Sequence, residues 1–107
     1  MKKGDIVLIQ FPFTDLIGSK NRPALILIDS DEDVTVCFIT TNFTRNNEFD
    51  IPVSPTNLNG LKKDSLIRIN KLATIDKALI LGRLGTLELS VIRQINVKLM
   101  NILQLNI

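Results

Sequence analysis

The groups best suited to chemistry in this chain are a guanidinium, neighbouring threonine hydroxyls and a carboxamide, set at the ends of apolar runs. Arg22 stands directly before Pro23, which leads into the run Ala24-Leu25-Ile26-Leu27-Ile28. Its guanidinium is permanently charged and offers a planar fork of donors that matches a phosphate bidentately. The same fork would also serve a salt bridge to Asp15 or another acidic residue. Lys20 and Asn21 precede it on a polar loop, and Gly18 gives that loop freedom to close on a ligand, although Lys20 would equally sit solvated. Thr40 and Thr41 end a further apolar run, and Asn42 begins a loop that holds Thr44 and Arg45. A hydroxyl at a strand end can bond a phosphate oxygen or a ribose hydroxyl, but threonine also favours strands for packing alone. Phe11, Phe13 and Phe43 have faces on which bases could stack, or they fill the core.

Residues that are missing narrow the chemistry further. The chain has no histidine, which excludes a histidine general base, a Ser-His-Asp or Cys-His site and a paired-histidine ribonuclease mechanism. Cys37 is the single cysteine, so the chain has no internal disulfide and no thiolate cluster for zinc. Its setting, Val36-Cys37-Phe38-Ile39, is that of a buried and inert thiol. The carboxylates are dispersed at Asp5, Asp15, Asp50, Asp64 and Asp76, without the paired spacing of a metal site or a glycosidase. Asp76 reads as a turn or capping residue. A net charge of +2 is mild, so positive charge for a nucleic-acid ligand would have to be local.

These groups need a scaffold, and the sequence predicts a single small domain, mostly β. The 107 residues are 45% hydrophobic, drawn mainly from Ile, Leu and Val, with five Phe and neither Trp nor Tyr. A domain of that size buries about two-thirds of the surface of its unfolded chain. Apolar and alternating runs predict strands at about 5–11, 23–29, 34–40, 49–53, 66–72 and 78–84. Strands this short and this close together suggest a strongly bent barrel. Asp29-Ser30-Asp31-Glu32-Asp33 makes a tight acidic connection, and Asn57-Leu58-Asn59-Gly60 a loop that uses Gly60 at positive φ. Pro52 and Pro55 cannot donate to a ladder, which makes the fourth strand an edge. From Thr86, read as an N-cap, the period lengthens toward 3.6. Val91, Ile92, Ile95, Leu99, Ile102 and Leu103 then share one helical face while Arg93, Gln94, Lys98 and Asn101 face water. Val97 and Met100 widen the apolar stripe, which fits either end-capping of the barrel or a partner. No apolar run reaches the ~18 residues of a membrane span, so a cytoplasmic location is expected.

Gly4-Asp5-Ile6-Val7, Arg22-Pro23-Ala24, Phe38-Ile39-Thr40 and Leu72-Ala73-Thr74-Ile75-Asp76-Lys77, in this order and at these intervals, resemble the MazF/PemK family of toxins from bacterial type II toxin-antitoxin pairs. The resemblance covers nearly the whole chain. It implies a small SH3-like barrel of the CcdB/MazF type with a C-terminal α-helix, forming a two-fold homodimer. It also implies an endoribonuclease of the mRNA interferase type, which cleaves single-stranded RNA without a metal or other cofactor. A cognate antitoxin would silence it by laying a tail over the RNA groove, and DNA would be met only through that antitoxin. The arginine of the Arg-Pro motif and the threonine ending the Ile-Thr strand form the functional pair of the family, and they match Arg22 and Thr40. Phe13, Lys20, Asn21, Thr41 and Asn42 surround them as RNA-binding candidates. Some members carry an acidic residue, proposed as a base, on the strand before the Thr-Ile-Asp motif; this chain has Asn70 and Lys71 in that neighbourhood. Two rival readings are a family member that binds RNA or antitoxin without cutting, and a gyrase-poisoning toxin like CcdB. The CcdB-type toxins end in Trp-Gly-Ile, whereas this chain finishes Leu105-Asn106-Ile107.

Overall fold

The structure, a computed structural model, describes residues 1–11, 20–44 and 46–106, excepting the side chains of Phe11 and Lys20. Its strands are β1 (Asp5–Phe11), β2 (Lys20–Asp29), β3 (Asp33–Thr40), β4 (Asp50–Val53), β5 (Ser65–Asp76) and β6 (Ile80–Thr86), followed by helix α1 (Leu89–Ile102). All pairings are antiparallel, in the order β4-β5-β3-β2-β1-β6. The mostly β fold with a C-terminal helix agrees with the expectation from sequence. β4, which contains Pro52, is an edge strand as its proline requires.

Alternation of side chains puts apolar residues on both faces of the curved sheet. One face presents Ile6, Leu25, Cys37, Ile39, Ile67 and Ile69 to α1, whose Ile95 is buried among them. The other gathers Val7, Ile9, Ala24, Ile26, Val34 and Val36. β5 serves both faces because its register with β3 jumps from Cys37↔Leu72 to Phe38↔Arg68. That irregularity takes up Ile69, Asn70 and Lys71 and bends the strand. Asn70 and Lys71, inside the strand expected at 66–72, stand exposed at the bend as a bulge, and β5 runs on past 72 to Asp76.

Buried polar residues fasten the connections. Asn59 is fully buried, and its Oδ1 accepts from the backbone N–H of Thr56 (3.0 Å) and Leu61 (2.9 Å) while its Nδ2 donates to the Ser54 carbonyl (2.9 Å). Gly60 follows at φ +70°, as expected, and a Cβ there would lie 2.0 Å from the Leu84 carbonyl oxygen. Asp50 on β4 accepts from Asn47 N (3.0 Å) and pairs with Arg68 Nε on β5 (3.4 Å). Asp76 caps the 3-10 turn Lys77–Leu79 through Ala78 N, 2.8 Å away.

Further expected boundaries move: the 3-10 turn takes residues 77–79, so β6 runs Ile80–Thr86 where 78–84 was expected. Thr86 is not the helix N-cap; it ends β6, where its hydroxyl bonds the Gly4 carbonyl (3.3 Å), and the cap position is Glu88. β2 begins at Lys20, three residues ahead of the expected start, so Arg22 lies inside a strand rather than on a loop. Among the described residues, no helix is long and apolar enough to cross a membrane.

Candidate functional site

β2 and β3 are hydrogen-bonded from Asp29↔Val34 back to Ala24↔Phe38. Beyond that pair the ladder stops, as Pro23 has no N–H to donate. Continuing the same register by two residues sets Arg22 opposite Thr40. On its other side Arg22 remains paired with Ile9 of β1, so its backbone is held even where the β2–β3 ladder ends. The parted strand ends leave an open cleft of about 280 Å³ lined by Asn21, Arg22, Pro23, Ile39, Thr40 and Thr41. Alternation along the strands puts Arg22 and Thr40 on the sheet face shared by Ala24, Ile26 and Val36.

Four of the seven sequence-predicted site residues, Asn21, Arg22, Thr40 and Thr41, therefore meet in one cleft. Arg22 is half-buried with its Nε shielded from solvent, which raises the strength of its electrostatic interactions above that of a fully hydrated cation. Asn42 adjoins the cleft through its backbone N–H, which donates to Thr40 Oγ1 at 3.1 Å. Its Oδ1 accepts from both the backbone N–H (2.9 Å) and the hydroxyl (2.7 Å) of Thr44. Phe43 between them is exposed. Lys20 opens β2 opposite Phe11, and Phe13 lies outside the described residues.

Sequence reasoning missed the part of Thr44. Its signal is the spacing Asn42-Phe43-Thr44, the pattern by which an Asn side chain closes a turn on the backbone two residues on. Cys37 is fully buried, and burial pushes its thiol up to about 12. It faces the helix side of the sheet and takes no part in the cleft. Among the described residues, no group of three or more His, Cys, Asp or Glu side chains is placed to hold a metal ion.

The arrangement can hold a phosphodiester. Arg22 brings a permanent positive charge, and Asn21, Thr40 and Thr41 bring uncharged polar groups, to one open cleft that Pro23 and Ile39 also line. No curated protein sequence matches the chain. A family model described as PemK-like, MazF-like toxin of type II toxin-antitoxin systems matches residues 2–103. Among solved structures, the Mycobacterium tuberculosis toxin MazF-mt6 superposes with a TM-score of 0.74 at 26% identity, over 91% of this chain and 93% of that one. A mycobacterial endoribonuclease in complex with its cognate antitoxin gives a TM-score of 0.75 at 21% identity, over 98% and 96% of the two chains. A further match, an Mtb toxin, gives 0.66 at 28% identity, over 75% of this chain and 90% of that one.

Proposed function

The chain belongs to the PemK-like, MazF-like toxins of type II toxin-antitoxin systems, and from that premise we propose that it is an endoribonuclease that cuts single-stranded RNA. The observation that carries the reading is the cleft between the ends of β2 and β3, in which Arg22 and Thr40 stand on one sheet face. In the proposed reaction a ribose 2′-oxygen loses its proton and bonds to the adjacent phosphorus while the bond from phosphorus to the 5′-oxygen breaks. The leaving oxygen takes up a proton. The products are a 2′,3′-cyclic phosphate and a 5′-hydroxyl end.

The nucleophile belongs to the substrate, so the protein's task is to orient it and to stabilise charge. Arg22 meets the negative charge that gathers on the non-bridging oxygens. One preorganised donor of this kind is worth about 3–4 kcal/mol. A guanidinium keeps its positive charge throughout, which gives Arg22 an electrostatic role and not an acid's role. Thr40 orients the 2′-hydroxyl or the phosphate, and Asn21 and Thr41 hold the flanking nucleotide.

The proposal extends to partners. A two-fold dimer would set two such clefts along one groove, and the exposed Val97 and Met100 on α1 give an apolar surface for such contact. An acidic antitoxin segment would cover the groove by mimicking RNA, and a complex with a cognate antitoxin is known for the mycobacterial structural neighbour. To test the nuclease reading, purified protein is incubated with a long RNA in EDTA and the new ends are mapped. Cyclic phosphate and 5′-hydroxyl ends are expected. Intact RNA at micromolar protein would leave a binding-only toxin as the better account.

A further inference from the structure

The hydrogen bonds around Thr40 assign a job to a residue that base or phosphate contact would not explain. A hydroxyl has one proton to donate and two lone pairs to accept with. The Asn42 N–H occupies one lone pair of Thr40 Oγ1, at 3.1 Å, so the hydroxyl proton is turned away from the Asn42 nitrogen. Thr40 lines the cleft with Arg22. The Asn42 N–H holds its direction only if the 42–44 turn is closed, and what closes it is the Asn42 side chain. Its Oδ1 receives the Thr44 N–H at 2.9 Å and the Thr44 Oγ1–H at 2.7 Å. Both bonds use the oxygen of the carboxamide; neither uses its NH₂. The β3 strand ends at Thr40, so no ladder holds residues 41–44; the Asn46 N–H also donates to the Phe43 carbonyl at 3.3 Å, a bond that involves neither the Asn42 N–H nor its side chain.

We propose that Asn42 is a positioning residue: through Oδ1 and Thr44 it fixes its own backbone N–H on Thr40, so that the Thr40 hydroxyl is presented to the reacting phosphate or 2′-oxygen. Resting on the ribonuclease reading, this assigns Asn42 an action through Thr40 in place of a direct contact with RNA. The side chain is exposed and fills no core space, so its truncation leaves the fold intact. Its loss lets the hydroxyl rotate among orientations of which one is productive. The chemical step then slows while the grip on RNA changes little.

The two sides of the carboxamide can be told apart by substitution. Asn42→Ala loses the oxygen, whereas Asn42→Asp keeps it as an acceptor for both Thr44 donors and loses only the NH₂. Single-turnover cleavage and RNA affinity are measured for both variants, for Thr44→Val, which keeps the N–H bond and loses the hydroxyl bond, and for the Asn42→Ala/Thr44→Val double variant. Asn42→Ala is expected to slow cleavage about 10-fold or more at near-unchanged affinity. Asn42→Asp recovers most of that rate while weakening affinity, because a carboxylate repels RNA and does so less as salt rises. The double variant is no slower than Asn42→Ala alone. Amide hydrogen exchange at Asn42 and Thr44 is expected to quicken in Asn42→Ala and not in Asn42→Asp.

Equal loss of rate in Asn42→Asp and Asn42→Ala at high salt would overturn the proposal in favour of a direct NH₂ contact. A wild-type rate in Asn42→Ala would overturn it outright, with the nuclease reading untouched. A wild-type protein that leaves RNA whole overturns the nuclease reading itself. Unchanged exchange in Asn42→Ala then overturns the hydrogen-bonded turn independently of any RNA.

Discussion

Replacing Arg22 separates its charge from its packing, because the structure gives the residue both. It sits inside β2 opposite Ile9, half-buried, lining the cleft, with its Nε shielded. Arg22→Ala keeps the backbone ladder with β1 but strips the stem. Lost packing of an arginine stem of this kind costs about 1 kcal/mol, which lowers Tm by about 4–8 °C in a domain near 100 residues. Losing the charged donor slows the chemical step by about 10²–10³-fold. Arg22→Met restores most of the stem and none of the charge. It is expected to melt within a few degrees of wild type and to cut as poorly as Arg22→Ala. Arg22→Lys keeps the charge without the planar fork, and a partial rescue of less than about tenfold is expected. Thermal melting and single-turnover cleavage of a long RNA are measured side by side on all three. The reasoning fails if Arg22→Met cuts at the wild-type rate, or if Arg22→Met unfolds while Arg22→Lys does not. The second result would make Arg22 the buried half of a structural ion pair.

Solution mass at micromolar concentration is expected to be that of a dimer; a monomer there would leave Val97 and Met100 without the proposed contact. An acidic antitoxin peptide is expected to block cleavage and to bind more weakly as salt rises, and cleavage untouched at saturating peptide would refute overlap of the two sites. Gly60→Ala is expected to destabilise the fold by about 2–4 kcal/mol, since φ +70° disfavours any side chain and the new Cβ would meet the Leu84 carbonyl at 2.0 Å; an unchanged urea midpoint would refute it. Cys37 is expected to resist thiol reagents at pH 8 in the native state, because burial pushes its thiol up to about 12. In the unfolded chain that thiol ionises near ~8.5. Between those values the unfolded state has lost a proton that the native state keeps, so stability falls as pH rises from about 9 toward 12. Rapid labelling of folded protein at pH 8 would contradict this.

What the sequence made legible follows which forces are local. The apolar runs at Ile6–Ile9, Ala24–Ile28 and Val34–Ile39 mark central strands, because residues buried on both faces leave no polar alternation to misread. The errors fall where tertiary contact overrides local pattern. Lys20, Asn21 and Arg22 are polar and precede a proline, so they look like a loop; only the β1 partners Phe11, Gln10 and Ile9 make them strand. The strand expected to stop at 72 runs on to Asp76, because β3 recaptures β5 at Leu72 beyond the bulge at Asn70 and Lys71. Asn59 looks like an ordinary turn residue, and nothing nearby in sequence reveals that its carboxamide is buried and bonded on both sides. Thr86 has the right type for a helix cap, but pairing with Asp5 claims it for β6.

The site shows the same division with a different consequence. Arg22 could be singled out by chemical type alone, since a permanent charge beside a rigid proline and a buried strand is costly without a purpose. Thr40 could not, because a threonine ending a strand is ordinary until its neighbours are known. The register supplies them. Extending Ala24↔Phe38 by two residues brings Thr40 opposite Arg22, and the Asn42 N–H at 3.1 Å then limits where its hydroxyl can point. A chain without histidine, and without a metal-ligand cluster among its described residues, has little acid-base equipment, so the rate it can reach depends on how well its fixed donors are aimed. On that ground the 42–44 turn, which carries no charge, is expected to matter to the chemical step nearly as much as the threonine it aims.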